Sequence, residues 1–491
     1  MGILSLTIFL PGLGALILSL LPFKNARPVR WVALVFTLIT LALSCYLFAA
    51  YDRSSGGFQF TDSAQWIPAI NASYHVGLDG LSLAMVALTS FLSFIAVLAS
   101  WSVDHRPKAF FAWLLLLQSC ILGVFSSLDL LLFFLFWEIE VIPLYFLIST
   151  WGSGRKEYSA TKYVIYTLFG SAFMLAGILM LYFTAGTFSI PELYSADLAL
   201  LAGGIPLAGI FLLLLVGFAV KLPVFPFHTW LPDAHTDAPT AASIMLAGAL
   251  IKMGGYGIFR ICLGLFPSEA ERFAPLFLVL GVINIVYGGA ITLKQTDIKR
   301  LIAYSSISHM GFVLLGLFSL NEAGLTGACL QLISHGLITG MLFASAGILI
   351  HNTNERQISK FGGLARQMPL LAGLFFIAAM GAMGVPSTSG FVAEISVYLG
   401  TFSAGVPLAK PIAIISLTGI LFAAAYMLNM MLKVFFGPVN HGFNHLKDIS
   451  ITEKFYLGML ASGILAIGLY PHFITGVLKP AITGLALLWG G

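Results

Sequence analysis

An all-α integral membrane protein with about fourteen transmembrane helices is what this sequence predicts, and three observations predict it. Of the 491 residues, 59% are hydrophobic and 9% charged, where an ordinary soluble domain has roughly a quarter charged; the mean hydropathy is +0.97. Apolar runs of about 20 residues, enough to cross a bilayer, recur from one end of the chain to the other. The lysines and arginines alternate between successive loops, as they do when the loops alternate between two sides of a membrane.

The runs place helices at 3–22, 31–50, 78–100, 109–126, 128–148, 160–184, 207–229, 240–266, 273–293, 300–319, 324–349, 370–399, 409–436 and 456–477. The first has no basic residue before it and three after it, Lys24, Arg27 and Arg30. That is opposite to a secretory signal, so it counts as a span. Sixteen of the 24 basic residues fall in loops after odd-numbered helices, whereas Arg53, Arg272, Lys410 and Lys479 fall on the other side. One miscounted helix in the middle would scramble this alternation. It predicts both termini on the outer face, with the basic loops inside. Lys221, Lys252, Arg260 and Lys433 remain inside helices.

Composition also excludes several classes. The net charge of +4 resides mostly in the basic loops, and no basic run with interleaved aromatics points to nucleic acid. Cys45, Cys120, Cys262 and Cys329 lie in four different spans without a C-x-x-C pair, so no iron-sulfur or zinc site is expected in this chain. There is neither a Walker-type glycine loop nor a dinucleotide fingerprint. The longest loop, 51–77, is too short for a soluble domain; any redox chemistry must come from elsewhere. The 50 glycines read as close helix packing.

Two spans are interrupted. In the seventh, FAVKLPVFPFHTWLPDAH carries Pro223 and Pro226; in the twelfth the break is GVPSTSG, 384–390. Interrupted spans five helices apart are the mark of inverted-repeat transporters. The organisation expected is therefore helices 1–3 (1–108), a first five-helix repeat of helices 4–8 (109–266), a second of helices 9–13 (273–437), and helix 14 with a tail (438–491).

An ionisable residue inside a span costs roughly 2.5–3.5 kcal/mol on insertion scales and is a functional candidate by default. Lys221 stands just before the first break, where freed carbonyls favour a cation. Glu394 stands just after the second, where exposed amides would favour an anion. Lys252 lies mid-way along helix 8, with Tyr256 and Arg260 following at four-residue steps on the same face. Helix 5 offers Glu138 and Glu140, about 200° apart around the helix; geometry does not choose between them. Helix 10 pairs Ser305 with His309, helix 11 carries Gln331, His335 and Thr339, and helix 13 carries Tyr426, Asn429 and Lys433. Histidine titrates near neutrality and passes protons through water or hydroxyls, although a lone intrahelical histidine is more often a packing residue. A row of acids and bases across several spans suits proton transfer.

The stretches VGLDGLSL (76–83), LFFLFWEIEVIPLYFLISTWG (132–152), FAVKLPVFPFHTWLPDAHTDAPTAAS (218–243), LAGALIKMGGYGIFR (246–260), DIKRLIAYSSISHMGF (297–312) and SGFVAE (389–394) closely resemble the antiporter-like subunit M, or subunit 4, of respiratory complex I and its photosynthetic relatives. Glutamate rather than lysine on the broken helix 12, and the lack of a long lateral helix, resemble subunit M more than its L and N paralogues; the doubled acid of WEIE leans toward the cyanobacterial and plastid branch. The resemblance implies a subunit with one proton channel, in a bacterial plasma or thylakoid membrane, driven by quinone reduction elsewhere in a NADH or ferredoxin:quinone oxidoreductase. Iron-sulfur clusters and quinone are expected in partner subunits and no cofactor in this chain; the partners expected are other membrane subunits, L- and N-type among them, and lipid. It also implies Glu138 as the acid that modulates Lys221, Lys221 and Lys252 as channel lysines, His309 and His335 as relays, and Glu394 as the exit or connecting acid. On this scheme, separation of Glu138 from Lys221 sends the lysine's proton on toward Lys252. The rival readings are a subunit of an Mrp-type sodium/proton antiporter, which resembles the same motifs, and a membrane scaffold whose charges carry nothing.

Overall fold

A computed structural model describes residues 2–22, 25–201, 206–443 and 445–490; Lys24, one of the loop cations counted above, lies outside them. The described residues are mostly helical. Among the described residues, thirteen helices are long and apolar enough to cross a membrane: Ile3–Leu20, Ala26–Ala50, Gly80–Ala99, Pro107–Ser126, Leu130–Trp151, Lys156–Ala185, Thr240–Leu263, Pro267–Thr292, Ile298–Phe318, Glu322–Thr353, Ala409–Phe436, Ile451–Leu469 and His472–Trp489. Two shorter apolar helices, Leu207–Lys221 and Pro369–Ala382, are the first halves of the interrupted spans.

Several boundaries differ from the sequence reading. Helices begin earlier on the basic side, so that Arg27, Arg30, Lys162, Lys299, Arg300 and Lys454 fall within their first two turns. The run expected at 456–477 is two helices, Ile451–Leu469 and His472–Ala486. Pro471 has no N–H to continue the ladder, and Tyr470 before it leaves the helical region (φ −136°, ψ 72°). The first of the two starts at a capping box, Ser450 with Glu453, which fixes its N-terminus. The second lies across one end of the bundle: Val477 packs on Gly80, where a Cβ would come 1.9 Å from the Val477 oxygen, and Trp489 Nε1 donates to Pro267 O (3.1 Å).

The 51–77 loop folds into an antiparallel hairpin, β1 (Gln59–Ile67) and β2 (Ala72–Leu78). It closes the same end. Asp62 accepts from the Gly2 amide (2.9 Å) and from Ser5 Oγ (2.6 Å), and His75 O accepts from Leu128 N (2.8 Å). This end is called the hairpin face below, and the opposite one the basic face.

The two breaks are built so that their backbone groups are satisfied, as membrane depth demands. At the first, Val224 N reaches back to Ala219 O (2.9 Å). The Val220 carbonyl accepts from Trp230 Nε1 (2.9 Å). Asn284, from Pro267–Thr292, accepts from Phe225 N (2.8 Å) and donates to Pro223 O (3.1 Å). At the second, Val385 N reaches back to Met380 O (3.0 Å), and Ser334 donates to Ser389 Oγ (2.7 Å). Replacing Asn284 by Leu leaves the buried Pro223 carbonyl and the half-buried Phe225 amide unpaired, at about 1–3 kcal/mol for a fully buried group. The expected result is a markedly lower melting temperature of the detergent-solubilised protein, checked by thermal unfolding; an unchanged midpoint would refute this role of Asn284.

Candidate functional site

The fifth span is bent, and the bend decides which of its acids faces inward. Pro143 cannot donate to the carbonyl four residues back, at Ile139, and the span is divided there into Leu130–Ile139 and Val141–Trp151. Glu140, at the joint, is fully buried. Its Oε1 pairs with Lys221 Nζ. Tyr163 donates to its Oε2 (2.9 Å), and Lys221 donates to the Tyr163 hydroxyl (3.3 Å). Lys221 is the last residue of Leu207–Lys221, and its ammonium stands over the rings of Trp137 (5.4 Å) and Tyr163 (5.2 Å).

Glu138 is not the partner of Lys221, contrary to the expectation from WE. It is half-buried, its Oε1 has no hydrogen-bond partner, and it lines a 500 Å³ groove with Ile139, Ile142, Tyr145, Phe146 and Leu168. The two carboxylates thus do point to opposite sides, with Glu140 turned to the lysine.

Lys252 is also fully buried, and a local change of helix type gives it an acceptor. Leu246–Leu250 is a π-helical turn, in which Ile251 N bonds to Leu246 O (3.2 Å). The neighbouring Ala247 carbonyl is left to accept from Lys252 Nζ. Such turns are frequent at functional sites. On its other side the ammonium meets His335 Nδ1 (2.6 Å). The His335 and His309 rings follow at 5.5 Å, and His309 Nδ1 stands 3.4 Å from Glu394 Oε1. Gln331 Nε2 (3.4 Å) and the Tyr426 hydroxyl (3.5 Å) flank His309. Lys252, His335, His309 and Glu394 therefore form one buried file.

Glu394 is held differently from the sequence expectation. It is the sixth residue of Ser389–Ser403, a turn too deep for the amides of the helix start. Its company is His309, with the Gly384 backbone so close that a Cβ there would lie 2.6 Å from Glu394 Oε2. Ser305 bonds back to its own helix at Ile302 O (2.8 Å). Asn429 and Lys433 are exposed; of that stripe Tyr426 alone turns inward. The Lys221 pair and the Lys252 file are separate among the described residues, since no hydrogen bond joins them. Their helices are in backbone contact: a Cβ on Gly254 would meet Leu222 N and Phe218 O at 2.6 Å.

Two residues without an expected role belong to this interior. His235 is fully buried, stacked on Phe343 (4.6 Å), with both ring nitrogens unpartnered; Ser243 links it to Lys299, donating to His235 O (3.2 Å) and accepting from Lys299 Nζ (3.4 Å). Lys299 donates to Ala238 O (2.6 Å) and faces a 520 Å³ cavity on the basic face, shared with His351 and Glu453. The only signal in the sequence was the polar density of WLPDAHTD. Tyr163 carried none, being one tyrosine in an ordinary apolar run.

Broken spans, a buried lysine–glutamate pair and a second buried lysine at the head of a histidine file define a membrane-embedded, antiporter-like ion-transfer subunit. Residues 127–423 match the family model described as NADH:quinone oxidoreductase/Mrp antiporter, transmembrane, and the chain belongs to that family. It is 42% identical to NAD(P)H-quinone oxidoreductase chain 4 1 of Synechococcus elongatus, over 98% of this chain and 90% of that one. It is 38% identical to NADH-quinone oxidoreductase subunit M of Rickettsia prowazekii, over 99% of each. Among solved structures it superposes on a chain of respiratory complex I from Thermus thermophilus with a TM-score of 0.89 at 28% identity, covering 99% of this chain and 100% of that one. A chain of the Mrp complex from Dietzia shares the fold, with a TM-score of 0.87 at 22% identity over 100% and 99%.

Proposed function

We propose that this chain is the membrane-arm, proton-translocating subunit 4 (M) of a NADH or ferredoxin:quinone oxidoreductase, driven by quinone reduction in partner subunits that hold the iron-sulfur clusters and the quinone. The observation that carries this reading is the buried file Lys252–His335–His309–Glu394 beside the buried Lys221–Glu140 pair. Water reaches Lys299 from the basic face through the 520 Å³ cavity, His235 passes the proton inward, and Lys252 holds it mid-membrane. When the neighbouring subunit draws Glu140 from Lys221, the uncompensated ammonium discharges toward Lys252. Tyr163, bonded to both members of the pair, keeps them aligned.

The interrupted spans, Leu207–Lys221 with Trp230–Asp237 and Pro369–Ala382 with Ser389–Ser403, support two inverted five-helix repeats, helices 4–8 and 9–13, within fourteen spans. The terminal helix His472–Ala486 then lies along the outer face. The basic loops put the termini on the outer side of a bacterial plasma or thylakoid membrane. L- and N-type subunits are the neighbours proposed in the membrane arm.

Tagging the chain in its own host and purifying it gently tests the assignment. Co-purification of iron-sulfur and quinone-site subunits is the expected result. Recovery of small membrane subunits alone would turn the reading to an Mrp-type sodium/proton antiporter, in which the same lysines exchange protons for sodium.

A further inference from the structure

The polar stripe of helix 8 continues past Lys252 toward the hairpin face, and the scheme above gives that half of it nothing to do. Tyr256, one turn on, is fully buried; its hydroxyl meets Ser82 Oγ at 2.9 Å and donates to Phe125 O (3.1 Å). Arg260, a further turn on, donates to Ser82 Oγ (3.2 Å) and pairs with Asp79 Oδ2 (2.5 Å). Asp79 is itself the cap of Gly80–Ala99, accepting from Ser82 N (2.9 Å) on its other oxygen. Arg260 and Asp79 form part of the wall of an open 320 Å³ pocket on the hairpin face. In the same pocket the Tyr51 hydroxyl, on a residue 5% exposed, has no partner. Arg260 lies within a second π-helical turn, Ile258–Leu263, the same device that serves Lys252.

A polar cluster this size inside apolar packing must offset the cost of desolvating each member. Hydrogen bonds do so, and they also make it continuous from Tyr256, one turn beyond Lys252, to a pocket large enough for several waters. We infer that this cluster is the outlet of the channel: the proton held by Lys252 leaves through Tyr256 and Ser82 to Asp79 and the pocket, while Glu394 at the other end of the file connects sideways.

The step between Lys252 and Tyr256 is one helical turn, about 6 Å of rise. The lysine's flexible four-carbon stem covers it by turning from Ala247 and His335 toward the tyrosine. The ammonium gives its proton to the Tyr256 oxygen as the tyrosine swings its own hydroxyl proton from Phe125 O to Ser82 Oγ. Ser82 in turn protonates the Asp79 carboxylate, which releases to water in the pocket. Arg260 does not carry the proton, since a guanidinium stays charged in proteins. It is a positioning residue, orienting Tyr256, Ser82 and Asp79, and its fixed charge opposes cations returning from the pocket.

This inference rests on the reading that Lys252 carries a proton, so the test includes Lys252→Met. Protons moved per electron are measured in proteoliposomes of the intact complex, with the wild type, Lys252→Met and Tyr256→Phe, a change that keeps the ring and removes only the hydroxyl. Tyr256→Phe is expected to lose at least half of what Lys252→Met loses. Wild-type pumping by Tyr256→Phe with a deficit in Lys252→Met would overturn the outlet and leave the proton reading intact. Wild-type pumping by both would overturn the two together.

A plug provides a readout independent of folding. Gly484 lines the pocket, and a Cβ there meets nothing within 4 Å. In a Cys45→Ser background, Gly484→Cys is expected to pump normally until a bulky, membrane-impermeant maleimide is added from the hairpin side, and then to fall toward the Lys252→Met level. Full pumping after complete labelling would also overturn the outlet.

Discussion

Glu140→Gln is expected to abolish most of the pumping through this channel, whereas Glu138→Gln leaves it within about twofold. The difference follows from where each carboxylate lies. Glu140 is the fully buried counter-charge of Lys221, and removing one member of such a pair leaves a charge whose burial costs about 3–5 kcal/mol. At about 1.4 kcal/mol per tenfold, the charged lysine becomes roughly 10²–10³ times rarer. Glu138 is half-buried, with its Oε1 unpartnered, and it forms no ion pair with Lys221, so its neutralisation strands no buried counter-charge. Quinone-dependent quenching of a pH-sensitive dye in vesicles, normalised to assembled complex on native gels, reads both variants. The reverse order of severity would assign Lys221's counter-charge to Glu138, as the WE motif implied.

The second large effect concerns Lys252. Lys252→Met removes the group that accepts and releases the proton, and loss of a positioned acid–base group costs about 10²–10⁴ in rate. Lys252→Arg is expected to be almost as impaired although it keeps the charge, because a guanidinium cannot deprotonate and its fork does not fit the fully buried slot between Ala247 O and His335 Nδ1. His335→Gln, which preserves a hydrogen-bonding group but not a titrating one, is expected to fall between wild type and Lys252→Met. Near-normal dye quenching by Lys252→Arg would show that the residue supplies charge alone.

Much of this was legible in the sequence because membrane depth makes polarity conspicuous. Lys221, Lys252, His309, His335 and Glu394 stood out as ionisable residues in apolar runs, and the prolines at 223 and 226 marked the first break. The partner of Lys221 was not legible. Choosing between Glu138 and Glu140 depends on a bend, and the bend depends on Pro143, which the helical-wheel angle ignores. Glu394 was misplaced by a turn because the second half of its helix starts at Ser389; the helix-end argument then assigned it the wrong support. The satisfaction of the first break by Asn284 joins residues about 60 positions apart, a pairing no local pattern encodes. The stripe of Lys252, Tyr256 and Arg260 was visible as spacing, but Asp79 and Ser82, which complete it, come from another helix.

The measurement that bears most directly on the central claim is the number of protons moved per electron by the purified, fully assembled complex carrying Lys221→Ala, reconstituted in vesicles beside the wild type. A clear fall in that ratio, with electron transfer to quinone still measurable, is the expected result. An unchanged ratio would contradict a proton path through this subunit and leave its buried charges to structure alone.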